Sequence, residues 1–336
     1  MIDFRYHLVS IIAVFLALAV GLVVGSTALS GKAEEVLNLA QRSAVSRNNA
    51  LIKNNEALKN QVNADQAFAQ AGSQRLIGGL LTHDKVVLVV APGANGAVTK
   101  GVTAALQQAG ATVTGEVDVQ SSFLTTSAAT ETELTTLAHS LAAQAGLAPP
   151  VQSQSPVAGQ QAAAALLAAA LLDPTAGSSR LSATASAAIL TGLEQNGFVS
   201  ANSTPATATQ AVLIAPGGPP PQPATSNAVV SALTAQLSAA SSGTVMAGAV
   251  DSIGTGSTIS YESSQPHAVS TVDFADTETG QIIVIQALKN LLDGKAPANY
   301  GVDPGAAPSP APTASPTPST SLPPTGTSSS TAGTHG

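Results

Sequence analysis

Residues 8–31 (LVSIIAVFLALAVGLVVGSTALSG) run without a charged side chain. A helix of about 20 apolar residues spans a hydrocarbon core of roughly 30 Å. It also pairs its backbone N–H and C=O groups internally, as lipid requires. The pattern predicts an N-terminal transmembrane anchor over residues 1–31. Two other readings compete with it. One is a cleaved signal peptide with Ala28-Leu29-Ser30 as its small-x-small site, although the run exceeds the roughly 7–15 apolar residues of such signals. The other is a buried core helix, although nothing polar interrupts the run. Ala13, Ala17, Gly21 and Gly25 recur every fourth residue and share one helix face. Small residues let membrane helices approach closely, which makes this face a candidate dimer contact. The plainer reading is that Gly and Ala are common in membrane helices.

The period then changes. Residues 32–79 contain no Pro, and Leu37, Ala44, Leu51 and Leu58 are spaced by seven. With these at d, Gln41, Asn48, Asn55 and Val62 fall at a. Apolar d positions with Asn at a predict a parallel two-stranded coiled coil, because a buried Asn pair fixes register and strand number. The alternative is an amphipathic helix packed on its own globular domain. Gly78-Gly79 supplies the stop.

Beyond the stalk, strand and helix patterns alternate. Residues 85–91 (KVVLVVA) form a continuous β-branched run, as expected of a strand buried on both faces. A Pro-Gly turn, a helical stretch to about residue 109 and a strand over residues 111–119 complete a strand-helix-strand unit. Helices are expected over residues 131–146, 160–172 and 181–196. The pattern recurs with a strand at 211–215, a helix at 227–240, strands at 244–250 and 269–274, and a helix at 277–292. Both long apolar strands end in Ala-Pro-Gly. The reading is an α/β, Rossmann-like, doubly wound and mostly parallel sheet over residues 80–301. Residues 302–336 are Pro, Ser, Thr, Ala and Gly with little else. Such a tail buries too little apolar surface to offset ordering entropy, so disorder is expected.

Composition narrows the function classes. The net charge of −7 and the rarity of aromatics leave no basic stripe for nucleic acid. The absence of Cys removes disulfides, thiolate metal sites and a Cys nucleophile together. Arg5 precedes the apolar run while Lys32, Arg42 and Arg47 follow it, so flanking charge leaves orientation open. The short leader favours a signal anchor with the remaining chain outside the cytoplasm.

Candidate chemistry is sparse. The turn Pro92-Gly93-Ala94-Asn95-Gly96 sits at a strand's carboxyl end, where open α/β sheets bind ligands. It matches neither GxGxxG nor a P-loop, and a structural turn is the competing account. Asp273, Asp276 and Glu278 offer hard oxygen ligands for Ca²⁺ or Mg²⁺. Against that, Asp276 or Thr277 caps the last helix and Glu278 complements its dipole. His7, His83, His139, His267 and His335 are scattered, and Met1 and Met246 are the only methionines. No local cluster suits a soft metal, and no Gly-x-Ser-x-Gly elbow anchors a hydrolase triad. No enzyme activity is expected, a divergent enzyme on a nucleotide-binding-like fold being the remote alternative.

The opening MIDFRYHLVSIIAVFLALAVGLVVGS resembles the start of the actinobacterial, MctB-like copper transport protein B family. The resemblance continues through KVVLVVAPG, Ser270-Thr271-Val272-Asp273 and Asn299-Tyr300-Gly301, covering about residues 1–301. It implies a role in copper homeostasis or efflux at the cell envelope, where some members are described as outer-membrane channels. Related proteins look like coiled-coil envelope partners in cell separation, which gives a second expectation: a dimeric scaffold binding an envelope or division partner. Copper enters only through the resemblance, which carries no ligand residue onto this chain.

Overall fold

The computed structural model describes residues 4–150, 155–173, 180–202, 207–218, 223–266, 269–310 and 336. It comprises two compact units, Met1–Ala69 and Gln70–Gly336. His267, His335 and most of the expected disordered tail, residues 311–335, lie outside the described residues.

One helix, α1 (Phe4–Ile77), runs through both the expected anchor and the expected stalk. Pro is absent from it and its four glycines stand singly, so nothing breaks the backbone ladder. It ends where the glycine pair was expected to end it. Gly78 donates its N–H to the Gln74 carbonyl at 3.1 Å, and Gly79 takes a φ of +79°. The last turns of α1 belong to the α/β unit. Ser73 and Ile77 are buried there, and Gln108 Nε2 donates to Ser73 Oγ at 2.8 Å.

The α/β unit contains one open sheet. Its strands are β1 (Lys85–Val90), β2 (Thr112–Val119), β3 (Val199–Ala201), β4 (Gln210–Ile214), β5 (Thr244–Ala247), β6 (Ser270–Val272) and β7 (Asn299–Tyr300). Their order is β3-β2-β1-β4-β5-β6-β7. Every neighbouring pair is parallel except β2 with β3. The expected mostly parallel sheet is therefore present, with one antiparallel edge. Four residues of β1 and all of β4 and β5 are buried, as their unbroken apolar runs required.

Helices cover both faces. Val87 and Val89 point into the larger core, which is closed by α3 (Ala128–Gln144), α4 (Ala158–Leu171), α5 (Ala183–Gln195) and α6 (Ala224–Ala240). Val86 and Leu88 alternate to the other face, where α2 (Gly96–Gln108) packs on α8 (Glu278–Leu292). Helix α4 is apolar on nearly every side, with ten of its residues buried, because it packs against α3, α5 and α6 together. A Cβ at Gly159 would overlap the Glu131 backbone carbonyl, so only Gly permits this approach of α3 and α4. Asn95, Ser127, Ser182 and Thr277 cap α2, α3, α5 and α8 by accepting a backbone N–H.

The short pieces escaped the sequence reading: β3, β7, α7 (Thr258–Ser263) and a 3₁₀ turn at Val250–Ser252. The expectation of disorder from residue 302 onward is also corrected for residues 302–310. Ala307 pairs with Tyr300, accepting the Gly301 N–H at 2.9 Å and donating to the Asn299 carbonyl at 2.8 Å. Backbone pairing needs no apolar side chain, so composition gave no hint of it.

Candidate functional site

The first candidate is the apolar part of α1. Tyr6–Ser26 is a 21-residue span of mean hydropathy 2.9. At about 1.5 Å per residue it is roughly 31 Å long, close to a bilayer's hydrocarbon thickness. None of the span is buried within the protein, which is the opposite of a core helix. Ala13, Ala17, Gly21 and Gly25 share this exposure, and a Cβ at Gly21 or Gly25 would meet nothing. The helical stalk is equally bare. Leu37, Leu51 and Leu58 are 69%, 67% and 62% exposed, and Ala44, Asn48, Asn55 and Val62 are exposed beside them.

The second candidate is the switch point between β1 and β4, where strand order reverses and open α/β sheets bind ligands. Two Ala-Pro-Gly turns meet there. Ala94 bridges Pro216, and the Gly217 N–H is donated to the Gly93 carbonyl at 3.0 Å. Gly93 takes a φ of +78° and Gly218 one of +106°, conformations that favour glycine. The Gly218 N–H is donated to Asp251 Oδ2 at 3.2 Å, and Ser252 Oγ donates to the Pro216 carbonyl at 3.0 Å. Asn95 Oδ1 accepts the Ala97 N–H at 2.9 Å as the α2 cap. An anion cradle needs backbone N–H groups aimed at a ligand. Here those of Gly217 and Gly218 are engaged within the protein, one of them by a carboxylate. These bonds tie the two turns together, so the Pro92–Gly96 turn has a structural role.

The third candidate is the acidic trio, and the structure separates it. Asp273, at the end of β6, is 1% exposed. Its Oδ1 accepts the Val302 N–H at 2.9 Å, and its Oδ2 accepts those of Val302 at 3.0 Å and Asp303 at 2.8 Å. Burial pushes its carboxyl above the ordinary value. The Val302 and Asp303 N–H groups pull it back, and the charge of Asp303 adds to the rise. Asp276 faces a different neighbourhood. Burial again raises its carboxyl, opposed by the backbone N–H groups of Asp276 and Val250 and aided by the charge of Asp251. Glu278 lies in the first turn of α8, which Thr277 caps by accepting the Gly280 N–H at 3.1 Å. Among the described residues no group of three or more His, Cys, Asp or Glu is placed to hold a metal ion. The capping alternative is the one observed.

Sequence reasoning missed Gly301 and Asp251. A Cβ at Gly301 would fall on the Asp273 carboxylate, so this glycine makes room for the clasp. Asp251 stands far in sequence from both the turn it contacts and Asp276. No local pattern joins them, because the topology alone brings β4, β5 and β6 to one edge.

Comparison with known proteins gives a consistent result. The family described as copper transport outer membrane protein, MctB, matches residues 1–310, ending where the described fold ends. The copper transporter MctB of Mycobacterium tuberculosis is 28% identical over 311 residues. That of Mycobacterium leprae is 30% identical over 316 residues. Each alignment covers 91% of this chain and 98% of the relative.

Proposed function

The chain belongs to the MctB copper transport family, and from that membership we propose that it is a membrane-anchored cell-envelope protein of copper transport and homeostasis. The observation that carries the anchoring is Tyr6–Ser26, apolar, long enough to span and uncovered by the protein itself. In this reading the helix is retained, its N-terminus faces the cytoplasm, and the α/β unit stands outside. Two copies pair in parallel, through Ala13, Ala17, Gly21 and Gly25 in lipid and through Leu37, Ala44, Leu51 and Leu58 in water. Asn48 and Asn55 set the register and Val62 closes the seam. Exposure of the seam residues Leu37, Leu51, Leu58 and Val62 supports pairing, since apolar side chains in water gain about 25 cal/mol per Å² when covered.

The same physics defines how such a protein takes part in copper transport. One helix cannot line a pore. The described strands form an open sheet with helices on both faces, whereas a membrane barrel alternates lipid-facing and lumen-facing residues. Cu(I) prefers soft sulfur ligands, and the chain has no Cys and two Met. Its contribution is therefore made through association, of copies with each other or with an envelope partner.

A deletion strain tests the reading. Loss of the gene raises cell-associated copper, measured by mass spectrometry, and lowers the copper concentration that stops growth. The full chain restores both, and unchanged copper content in the deletion strain would refute the role. Because the chain has no Cys, topology can be read from one introduced at exposed Glu133. A membrane-impermeant maleimide labels it in intact cells if the α/β unit is outside, and only after lysis if it is inside.

A further inference from the structure

A cavity of about 270 Å³ lies beside α7, β6, β7 and the turn at residues 304–306. Ser260, Ser263, Thr271, Asp273, Asn299 and Asp303 line it. All six are hydroxyls, an amide or carboxylates. Among the described residues its wall contains no Lys, Arg or His. Ser260 Oγ donates to Asp303 Oδ2 at 2.7 Å, and Thr271 Oγ1 donates to Asn299 Oδ1 at 3.0 Å. Ser263 Oγ lies 3.3 Å from Thr271 Oγ1, and Asn299 Nδ2 donates to the Ser263 carbonyl at 3.4 Å. These bonds hold the wall side chains in place before anything enters, which is what a preorganised site requires. The Asp273 clasp fixes the loop that carries Asp303. Asp303 itself takes part in neither ion pair found among the described residues.

We propose that this cavity binds a small polyol carrying one protonated amine, the chemistry of an amino sugar. The two carboxylates supply negative potential for the ammonium group, with Asp303 as its direct partner. The hydroxyl and amide groups of Ser263, Thr271 and Asn299 both donate and accept, which suits ligand hydroxyls. Size separates this ligand from a bare metal ion. Ca²⁺ needs about 6–8 oxygens at roughly 2.3–2.6 Å, and a cavity this large leaves such an ion mostly to water. Charge separates it from anions, which two carboxylates repel.

The test is a ligand-observed NMR titration of the full chain in detergent micelles at low salt, with glucosamine as probe. Glucose and ethanolamine are the comparisons, one lacking the charge and the other the ring hydroxyls. Glucosamine is expected to bind at least tenfold more tightly than either. Asp303→Asn is expected to weaken it about tenfold while leaving the melting temperature of the free protein within a few degrees. Thr271→Val, which removes a wall hydroxyl, should weaken it as well. Should Asp303→Asn fail to fold, Ser263→Ala is read in its place, with weaker glucosamine binding expected. No binding of glucosamine, equal binding of the three probes, or unchanged affinity in a folded Asp303→Asn or Ser263→Ala protein overturns the proposal. The copper phenotype of a deletion strain is independent of all these outcomes.

Discussion

Replacing Gly301 by Ala should unfasten the C-terminal end of the α/β unit. Gly301 has a φ of +148°, and a Cβ there would collide with the Asp273 carboxylate. Two terms contribute. A non-glycine residue in such backbone costs about 1–3 kcal/mol. Moving the carboxylate off its donors sacrifices charge-assisted hydrogen bonds worth about 1.5–3 kcal/mol each. A buried charge that loses its partners costs about 3–5 kcal/mol overall. Taking about 4 kcal/mol, and about 2–4 °C per kcal/mol for a domain of this size, the expected drop in Tm is about 8–16 °C. The chain has no Trp and three Tyr, so far-UV circular dichroism is the suitable probe. The clash can be isolated with Asp273→Ala, which removes the atoms the new methyl would strike. In that background Gly301→Ala should cost only the backbone term of about 1–3 kcal/mol. A Gly301→Ala protein melting within about 2 °C of wild type, or an equal cost in both backgrounds, would refute the reasoning.

Leu51→Asp with Leu58→Asp should convert a dimer to monomer in analytical ultracentrifugation of the detergent-solubilised chain, while the α/β unit keeps its cooperative melt. A dimer that survives both changes removes the seam. Gly159→Ala drives a methyl against the Glu131 carbonyl and should destabilise the α/β unit by about 1–3 kcal/mol, read as a fall of several degrees in Tm. Acidity should act in an unusual direction. Burial raises Asp84, Glu116, Asp273 and Asp276 above their ordinary values of 3.8 for Asp and 4.5 for Glu. Between the ordinary and raised values the folded state binds more protons than the unfolded one, so these groups make stability fall as pH rises through that window. The Tm should therefore increase as pH is lowered toward the ordinary carboxylate range, and a steady decrease would contradict it.

Much of this architecture was legible because its elements are long or uninterrupted. The run at residues 85–91 announced β1, and the Pro-free stretch with single glycines announced α1. The parallel order followed from strands alternating with helices. What stayed hidden was short or distant. β3 and β7 contain three and two residues, too few for any period to register. The Asp273 clasp joins residues 29 and 30 positions apart through backbone N–H groups that leave no signature in side-chain type. The acidic trio is divided among three local settings. Asp273 ends a strand, Asp276 lies in the following turn and Glu278 opens a helix, so nearness in sequence spans three different backbone elements.

The mutual grip of the two Ala-Pro-Gly turns has a mechanical consequence. In an open sheet, the wings on either side of the strand-order reversal are joined edge to edge, and enzymes of this architecture keep the space above the joint free for something to enter. Here Gly93 and Gly217 bind across that joint, and Asp251 and Ser252 brace it from the β5 side. A tug arriving where Ser73 meets Gln108 would be shared between both wings through this crown as well as through the strands. Under load the α/β unit would then move as one block rather than part like a jaw.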